Sequence, residues 1–137
     1  MHKTRTVLVV DDEPDVRWAL ATILRRHGFA VSQTGSGAET LHYLAHSACD
    51  LILLDAKLGD VDGVELAQRL RSETSCTAPI ILVSGYFYKN DRLIMQNLAS
   101  GLIAAFVTKP FRHDDVMNAV QATLLTVTGA TTMAAAP

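Results

Sequence analysis

Five residues with reactive side chains stand directly behind four apolar runs. Asp11 and Asp12 follow Thr6-Val7-Leu8-Val9-Val10, and Asp55 follows Leu51-Ile52-Leu53-Leu54. Ser84 follows Pro79-Ile80-Ile81-Leu82-Val83, and Lys109 follows Ala105–Thr108. Three carboxylates, a hydroxyl and an ammonium are the parts of a phosphoryl-handling centre. Carboxylates brought close together repel and raise one another's pKa values unless a cation sits among them. Oxygen-only donors suit a hard, water-retaining ion, Mg²⁺ or else Mn²⁺, rather than zinc. A carboxylate beside such an ion is a competent nucleophile toward phosphorus and gives an aspartyl phosphate. The ammonium can neutralise one phosphoryl oxygen and the hydroxyl can hydrogen-bond another. Taken singly, each residue has a plainer role: Asp starts helices readily, Asp55 ends a strand, and Lys109 beside Pro110 reads as a surface turn. The chemistry exists only where a fold gathers all five. Glu13, next to the first pair, reads as a rim residue with a minor part.

The apolar pattern supplies such a fold. Val7–Val10 is a buried strand, after which Val16, Ala19, Leu20, Ile23 and Leu24 recur at the spacing of an amphipathic helix. Pro14 suits its first turn, and Arg25-Arg26-His27-Gly28 is a matching stop, with cations in the last turn and Gly just beyond. Phe29–Thr34 reads as a second strand, and Gly35-Ser36-Gly37 turns into a helix near Ala38–His46. Leu51–Leu54 is a third strand, followed by the loop Ala56–Val61 and a helix that Asp62 caps, with Glu65 placed to reach back. The fourth strand, Pro79–Val83, precedes a helix containing Leu93, Ile94 and Leu98. A fifth strand, Ala105–Thr108, precedes a last helix marked by Val116, Ala119, Val120 and Leu124. Strands alternating with helices predict right-handed βαβ units and an α/β, (βα)5 doubly wound parallel sheet covered on both faces. In such sheets function gathers at the carboxyl ends of the strands, near the switch in strand order.

Composition narrows the function classes. The 137 residues carry 12 Lys and Arg against 14 Asp and Glu, a net charge of −2, so nothing argues for nucleic-acid or membrane-surface binding. An apolar fraction of 49% supports a core without disulfides or structural metal. No apolar run reaches the length of a bilayer span, and no secretory cleavage pattern follows the first residues, so a cytoplasmic location is expected. Cys49 and Cys76 sit in no CxxC or Cys/His ligand spacing and read as reduced, partly buried thiols. His42 and His46 share a helix face, but no third ligand lies nearby to make a zinc site.

The stretches VLVVDDEPDVR, LILLDAKLGDVDG, PIILVSG and FVTKPF, in that order, resemble the receiver domain of two-component response regulators, over roughly Thr4 to Leu125. The resemblance implies a flavodoxin-like or chemotaxis-receiver-like sheet in the strand order 2-1-3-4-5. It implies Asp55 as phosphoacceptor, with a sensor histidine kinase or phosphotransfer protein as donor. It implies Mg²⁺ held by Asp11, Asp12, Asp55 and the backbone carbonyl of Lys57, and phosphoryl contacts from Ser84 and Lys109. Ser84 stands where the family has its switch hydroxyl and Phe106 where it has its switch aromatic. Their coupled movement would reshape the face made by the fourth helix, fifth strand and fifth helix. A downstream effector protein or linked output domain, and a homodimer, are the further partners it allows. Such a domain is a phosphoacceptor rather than an enzyme with turnover.

The sequence departs from the family pattern in four places. Gly59 replaces the usual Pro four residues after Asp55, which predicts a looser loop. Lys57 puts a cation at the rim of the site. Tyr86-Phe87-Tyr88 follows Ser84-Gly85, and Tyr86 is expected to line the entrance. The stretch from Ser84 to Lys109 is a few residues longer than usual. A phosphatase of the haloacid-dehalogenase type would need DxDx[TV] after the first strand and a cap domain, and Asp11-Asp12-Glu13-Pro14 does not fit. A receiver-like domain that only binds partners would not need all five site residues. Residues 1–126 are expected to form the receiver domain and 127–137 a flexible tail or the start of a linker.

Overall fold

The central strands divide their side chains between two cores, which is why they read as unbroken aliphatic runs. In β1 (Thr6–Val10), Leu8 and Val10 pack into one core while Val7 and Val9 pack into the other. The computed structural model describes residues 4–85 and 92–135. Along the chain, β1 is followed by α1 (Pro14–Arg26), β2 (Ala30–Thr34), α2 (Gly37–His46), β3 (Leu51–Asp55) and α3 (Gly63–Glu73). Then come β4 (Ile80–Ser84), α4 (Arg92–Ser100), β5 (Ala105–Thr108) and α5 (His113–Ala135). All strand pairs are parallel, and the sheet order is β2-β1-β3-β4-β5, as the resemblance implied.

One core joins Leu8, Ile52, Leu54, Ile80 and Leu82 to Leu44 of α2 and Leu66, Ala67 and Leu70 of α3. The other joins Val7, Val9, Leu53, Ile81 and Val83 to Leu20 and Leu24 of α1 and Val116, Met117 and Val120 of α5. Truncating any of these large buried side chains to Ala typically costs about 2–5 kcal/mol, because the surroundings close only partly over the cavity.

The caps follow the local chemistry. Pro14 opens α1. At the other end, the Gly28 amide donates to the Arg25 carbonyl and the Phe29 amide to the Leu24 carbonyl, a Schellman closure that needs the positive φ of 87° at Gly28. Asp62 accepts from the Val64 amide at 3.1 Å, whereas Glu65 is exposed and, among the described residues, makes no return bond. The reciprocal device sits instead on α2: Ser36 accepts from the Glu39 amide at 3.1 Å and Glu39 accepts from the Gly35 amide at 2.9 Å. The S-x-x-E pattern Ser36-Gly37-Ala38-Glu39 carries that signal in the sequence. The chain beyond Leu125, expected as a flexible tail, continues α5 as helix through Ala135. Extending a formed helix costs little per residue, and Ala is its best propagator.

Candidate functional site

Hydrogen bonds that continue the sheet ladder past the strand ends build the rim. The Asp11 amide donates to the Thr34 carbonyl at 3.2 Å and the Ala56 amide to the Val83 carbonyl at 2.9 Å. The Lys109 amide donates to the Ser84 carbonyl. Asp11, Asp55, Ser84 and Lys109 are thereby held on neighbouring strands at the carboxyl edge, where β1 stands between β2 and β3 and the strand order changes direction.

Lys109 is the pivot of the cluster. Its Nζ lies 3.0 Å from Asp11 Oδ2 and 3.4 Å from Asp55 Oδ1, with Glu13 Oε1 farther out at 4.0 Å. Asp11 is fully buried and Asp55 nearly so, whereas Asp12 and Glu13 are exposed. Asp11 is further fixed by the Glu13 amide, which donates to its Oδ1 at 2.9 Å, and by Arg17, whose Nη1 donates to its carbonyl at 2.6 Å. Carboxylate oxygens of Asp11, Asp12 and Asp55 all lie within 4.8 Å of one another. Among the described residues this is the group of acids, histidines and cysteines placed to hold a metal ion. Burial pushes the Asp55 carboxyl above its ordinary range, and the Asp11 charge adds to this; Lys109 and the Lys57 amide oppose it without cancelling it. For Lys109, burial favours the neutral amine, but the hydrogen bond and charge of Asp11, with those of Asp55, more than offset this and hold the ammonium above its usual range. The Ser84 hydroxyl oxygen is fully buried and, among the described residues, has no hydrogen-bond partner. A buried hydroxyl left unpaired is costly, so its place beside this cluster asks for a polar ligand.

The loop after Asp55 is tied down rather than loosened by Gly59. The Lys57 amide donates to Asp55 Oδ1 at 3.3 Å, Lys57 and Asp62 form an antiparallel bridge, and the Leu58 amide donates to the Val61 carbonyl at 3.1 Å. The Asp60 carboxylate reaches across to α2 and accepts from the Gly37 and Ala38 amides at 2.9 and 3.1 Å. Those two bonds, with the Ser36 cap, satisfy the first amides of α2, which have no partner within the helix. They also hold the Asp60 carboxyl below its ordinary range, the Gly37 bond contributing most. Gly63 is needed for close approach: a Cβ there would overlap the Asp55 carbonyl oxygen and press on Ala56.

The Lys57 side chain is exposed, and Phe106 is half-buried against the core that contains Leu82. Tyr86, with Phe87 and Tyr88, lies outside the described residues. Asp60 and Arg17 were not evident from the sequence. Asp60 acts on a helix more than twenty residues away in the chain, and no short-range pattern encodes that contact.

A parallel sheet in this order, with acids, a lysine and a hydroxyl converging on its carboxyl edge, defines a receiver-type signalling domain. The chain belongs to this family: the Response regulator receiver domain matches residues 7–121. Its class is that of two-component signalling. It is 34% identical over 131 residues to the probable transcriptional regulatory protein TcrX of Mycobacterium tuberculosis, covering 93% of this chain and 53% of that protein. It is 35% identical over 104 residues to the TorCAD operon transcriptional regulatory protein TorR of Escherichia coli, covering 76% of this chain and 43% of that protein. The chain spans about half the length of these relatives. The response regulator TrrA of Thermotoga maritima, solved in complex with Mg²⁺-BeF, superposes with a TM-score of 0.74 at 30% identity, over 88% of this chain and 99% of that one. A CheY-like receiver domain from Methanospirillum hungatei, 24% identical with a TM-score of 0.78 over 89% of this chain and 94% of that one, shares the fold. Among the described residues no helix is long and apolar enough to cross a membrane.

Proposed function

We propose that Asp55 accepts a phosphoryl group and that Ser84 and Phe106 convert the new charge into a changed α4–β5–α5 face. The observation that carries this reading is Lys109 Nζ bridging Asp11 and Asp55 beside the buried, unpartnered Ser84 hydroxyl. With a divalent cation among the three carboxylates, the ammonium and the idle hydroxyl would suit an incoming anion with several oxygens. In the transfer, an Asp55 carboxylate oxygen forms the O–P bond as the donor's P–N bond breaks, if the donor is a phosphohistidine, and the imidazole leaves with a proton. Lys109 is placed to neutralise one phosphoryl oxygen and the Ser84 hydroxyl to donate to another. Once Asp55 carries the acyl phosphate, Lys109 would lose the Asp55 carboxylate as a partner, which would free its ammonium for the phosphoryl oxygens.

Asp11, Asp12, Asp55 and the Lys57 carbonyl would hold Mg²⁺ or Mn²⁺, for which an all-oxygen donor set is suited. The ion would supply charge neutralisation at the phosphoryl oxygens. TrrA, solved with Mg²⁺-BeF, supports this choice. The donor would be a sensor histidine kinase or phosphotransfer protein, the receiver of the signal an effector protein or linked output domain, and the setting cytoplasmic. Residues 1–126 would form the receiver, which also allows a homodimer through its switched face. The domain would make and lose its own acyl phosphate rather than turn over a substrate.

Incubation with acetyl phosphate and Mg²⁺ tests the reading, with intact mass recorded for wild type and Asp55→Asn. One phosphoryl group on wild type and none on the variant is expected. Steady release of phosphate from a specific organic ester would instead identify a hydrolase. The exposed Lys57 ammonium would contact the phosphoryl group from the rim, so Lys57→Ala should change the rate at which the acyl phosphate is lost. Equal loss rates in the two proteins would leave only the Lys57 backbone with a role.

A further inference from the structure

At the opposite end of the sheet, the segments leading into β3 and β4 each carry a cysteine. Ile52 pairs with Ile80 in adjacent parallel strands, and the Ile52 amide donates to the Pro79 carbonyl at 3.0 Å. Cys49 stands three residues before Ile52 and Cys76 four before Ile80, so both enter the sheet on neighbouring tracks. Adjacent strands lie about 4.8 Å apart, within the Cα separation that a disulfide spans. Both side chains are half-buried and line one cleft of about 160 Å³ between the two segments. Both side chains pack against the same core, beneath β3 and β4.

Arg71 of α3 organises the Cys76 side of the cleft. Its Nη2 donates to the Ala78 carbonyl at 2.6 Å and its Nη1 to the Cys76 carbonyl at 3.1 Å, with Cys76 Sγ 4.0 Å away. The Cys76 amide donates to Thr74 Oγ1 at 3.1 Å, which completes a rigid turn around that sulfur. The two thiols are unequal. The neighbouring Cys49 thiol lowers the Cys76 pKa against the opposing effect of burial, and the Arg71 guanidinium beside Sγ adds to this. The same contact, with burial and the nearby Asp50 charge, pushes Cys49 up. A lowered thiolate beside a guanidinium, with a protonated partner in reach, is the arrangement of an attacking and a resolving thiol.

We propose that Cys49 and Cys76 form a reversible dithiol–disulfide couple, with Cys76 the sulfur that reacts first and Cys49 the one that resolves. The oxidant is a small disulfide such as oxidised glutathione. The Cys76 thiolate attacks one of its sulfurs, the S–S bond breaks, and one glutathione leaves as thiol, giving a mixed disulfide on Cys76. Cys49 then gives up its proton, its sulfur attacks Cys76 Sγ, and the second glutathione leaves. Two electrons pass from the protein to the small disulfide. The closed ring runs from Cys49 to Cys76 and contains β3, Asp55 and α3, so the cross-link braces the segment that carries the candidate phosphoacceptor.

The full chain is treated with oxidised glutathione near neutral pH, then digested without reduction and analysed by mass. The expected product is a Cys49–Cys76 linked peptide pair, with the intact protein lighter by about 2 Da and its two titratable thiols lost. Cys49→Ser should stop at one stable glutathione adduct on Cys76, while Cys76→Ser should label at least tenfold more slowly than Cys49→Ser. Dithiothreitol should restore both thiols in the wild type. Thiols that stay free, chains joined only to other chains, or equal labelling of the two single variants would each overturn the proposal.

Discussion

Asp55 ends β3 and Asp60 lies five residues on in the following loop, yet their carboxyls are driven in opposite directions. Asp55 is buried beside Asp11, and burial with like charge holds its carboxyl above the ordinary range. Asp60 is exposed and accepts two amide hydrogens at the start of α2, which hold its carboxyl below that range. The first stores repulsion that an added cation can relieve; the second is already satisfied and anchors the loop. Two acids close in sequence thus carry a destabilised charge and an anchored one, told apart by what surrounds them rather than by residue type.

The largest expected contrast is chemical. Asp55→Asn should reduce phosphoryl incorporation from acetyl phosphate to background, while Asp60→Asn should still take up one group per chain, both read by intact mass. Incorporation that survives in Asp55→Asn would remove the difference between the two acids. Next in size is the response to metal. With Mg²⁺ at a hundred times its dissociation constant, the protein should gain about 2.7 kcal/mol against unfolding, measured by denaturant titration. Asp12→Asn should lose most of that gain, and Asp60→Asn should keep it.

The pH dependence, measured with a chelator present, should separate the two acids by sign. A folded-state pKa above the unfolded value gives stability that is complete in acid and is lost as pH rises through the folded value. Asp55 is of this kind, so Asp55→Asn should unfold at a higher temperature than wild type at neutral pH, with the gap closing toward acid. Asp60 is the reverse: its contribution is present above the unfolded carboxylate pKa and is lost as pH falls through the lowered folded one. Asp60→Asn should therefore be the less stable protein at neutral pH, again with a gap that closes in acid. The smallest effect is that of Asp60→Ala on stability, about 1 kcal/mol or less, as for a lost helix-cap contact at an exposed site. A loop freed by that change should also be phosphorylated more slowly; an unchanged rate would show that the α2 anchor does not position Asp55.

The strand ends carried the rim residues, because they follow apolar runs whose burial leaves few alternatives, and the sheet order came from the family resemblance of the motifs. What the sequence hid were contacts made across the fold. Asp60 reads as one more loop acid until α2 is brought against it. Cys49 and Cys76 fit no ligand spacing, because their approach depends on β3 and β4 being neighbours. The helical course of α5 through Ala135 was equally hidden: Thr and Gly there weaken local helix propensity, but a helix already anchored by Val116, Met117 and Val120 extends at little cost.

By itself, the sequence determined the strands, the helices and the identity of the rim residues, since period, caps and strand ends are local properties of the chain. Tertiary structure alone decided which of those residues share a charge field. Lys109 meets Asp11 and Asp55 only because β5, β1 and β3 belong to one sheet, and Ser84 loses water only when two cores close around β4. Coulomb and desolvation energies depend on distance and burial in space, and neither is a property of position along the chain.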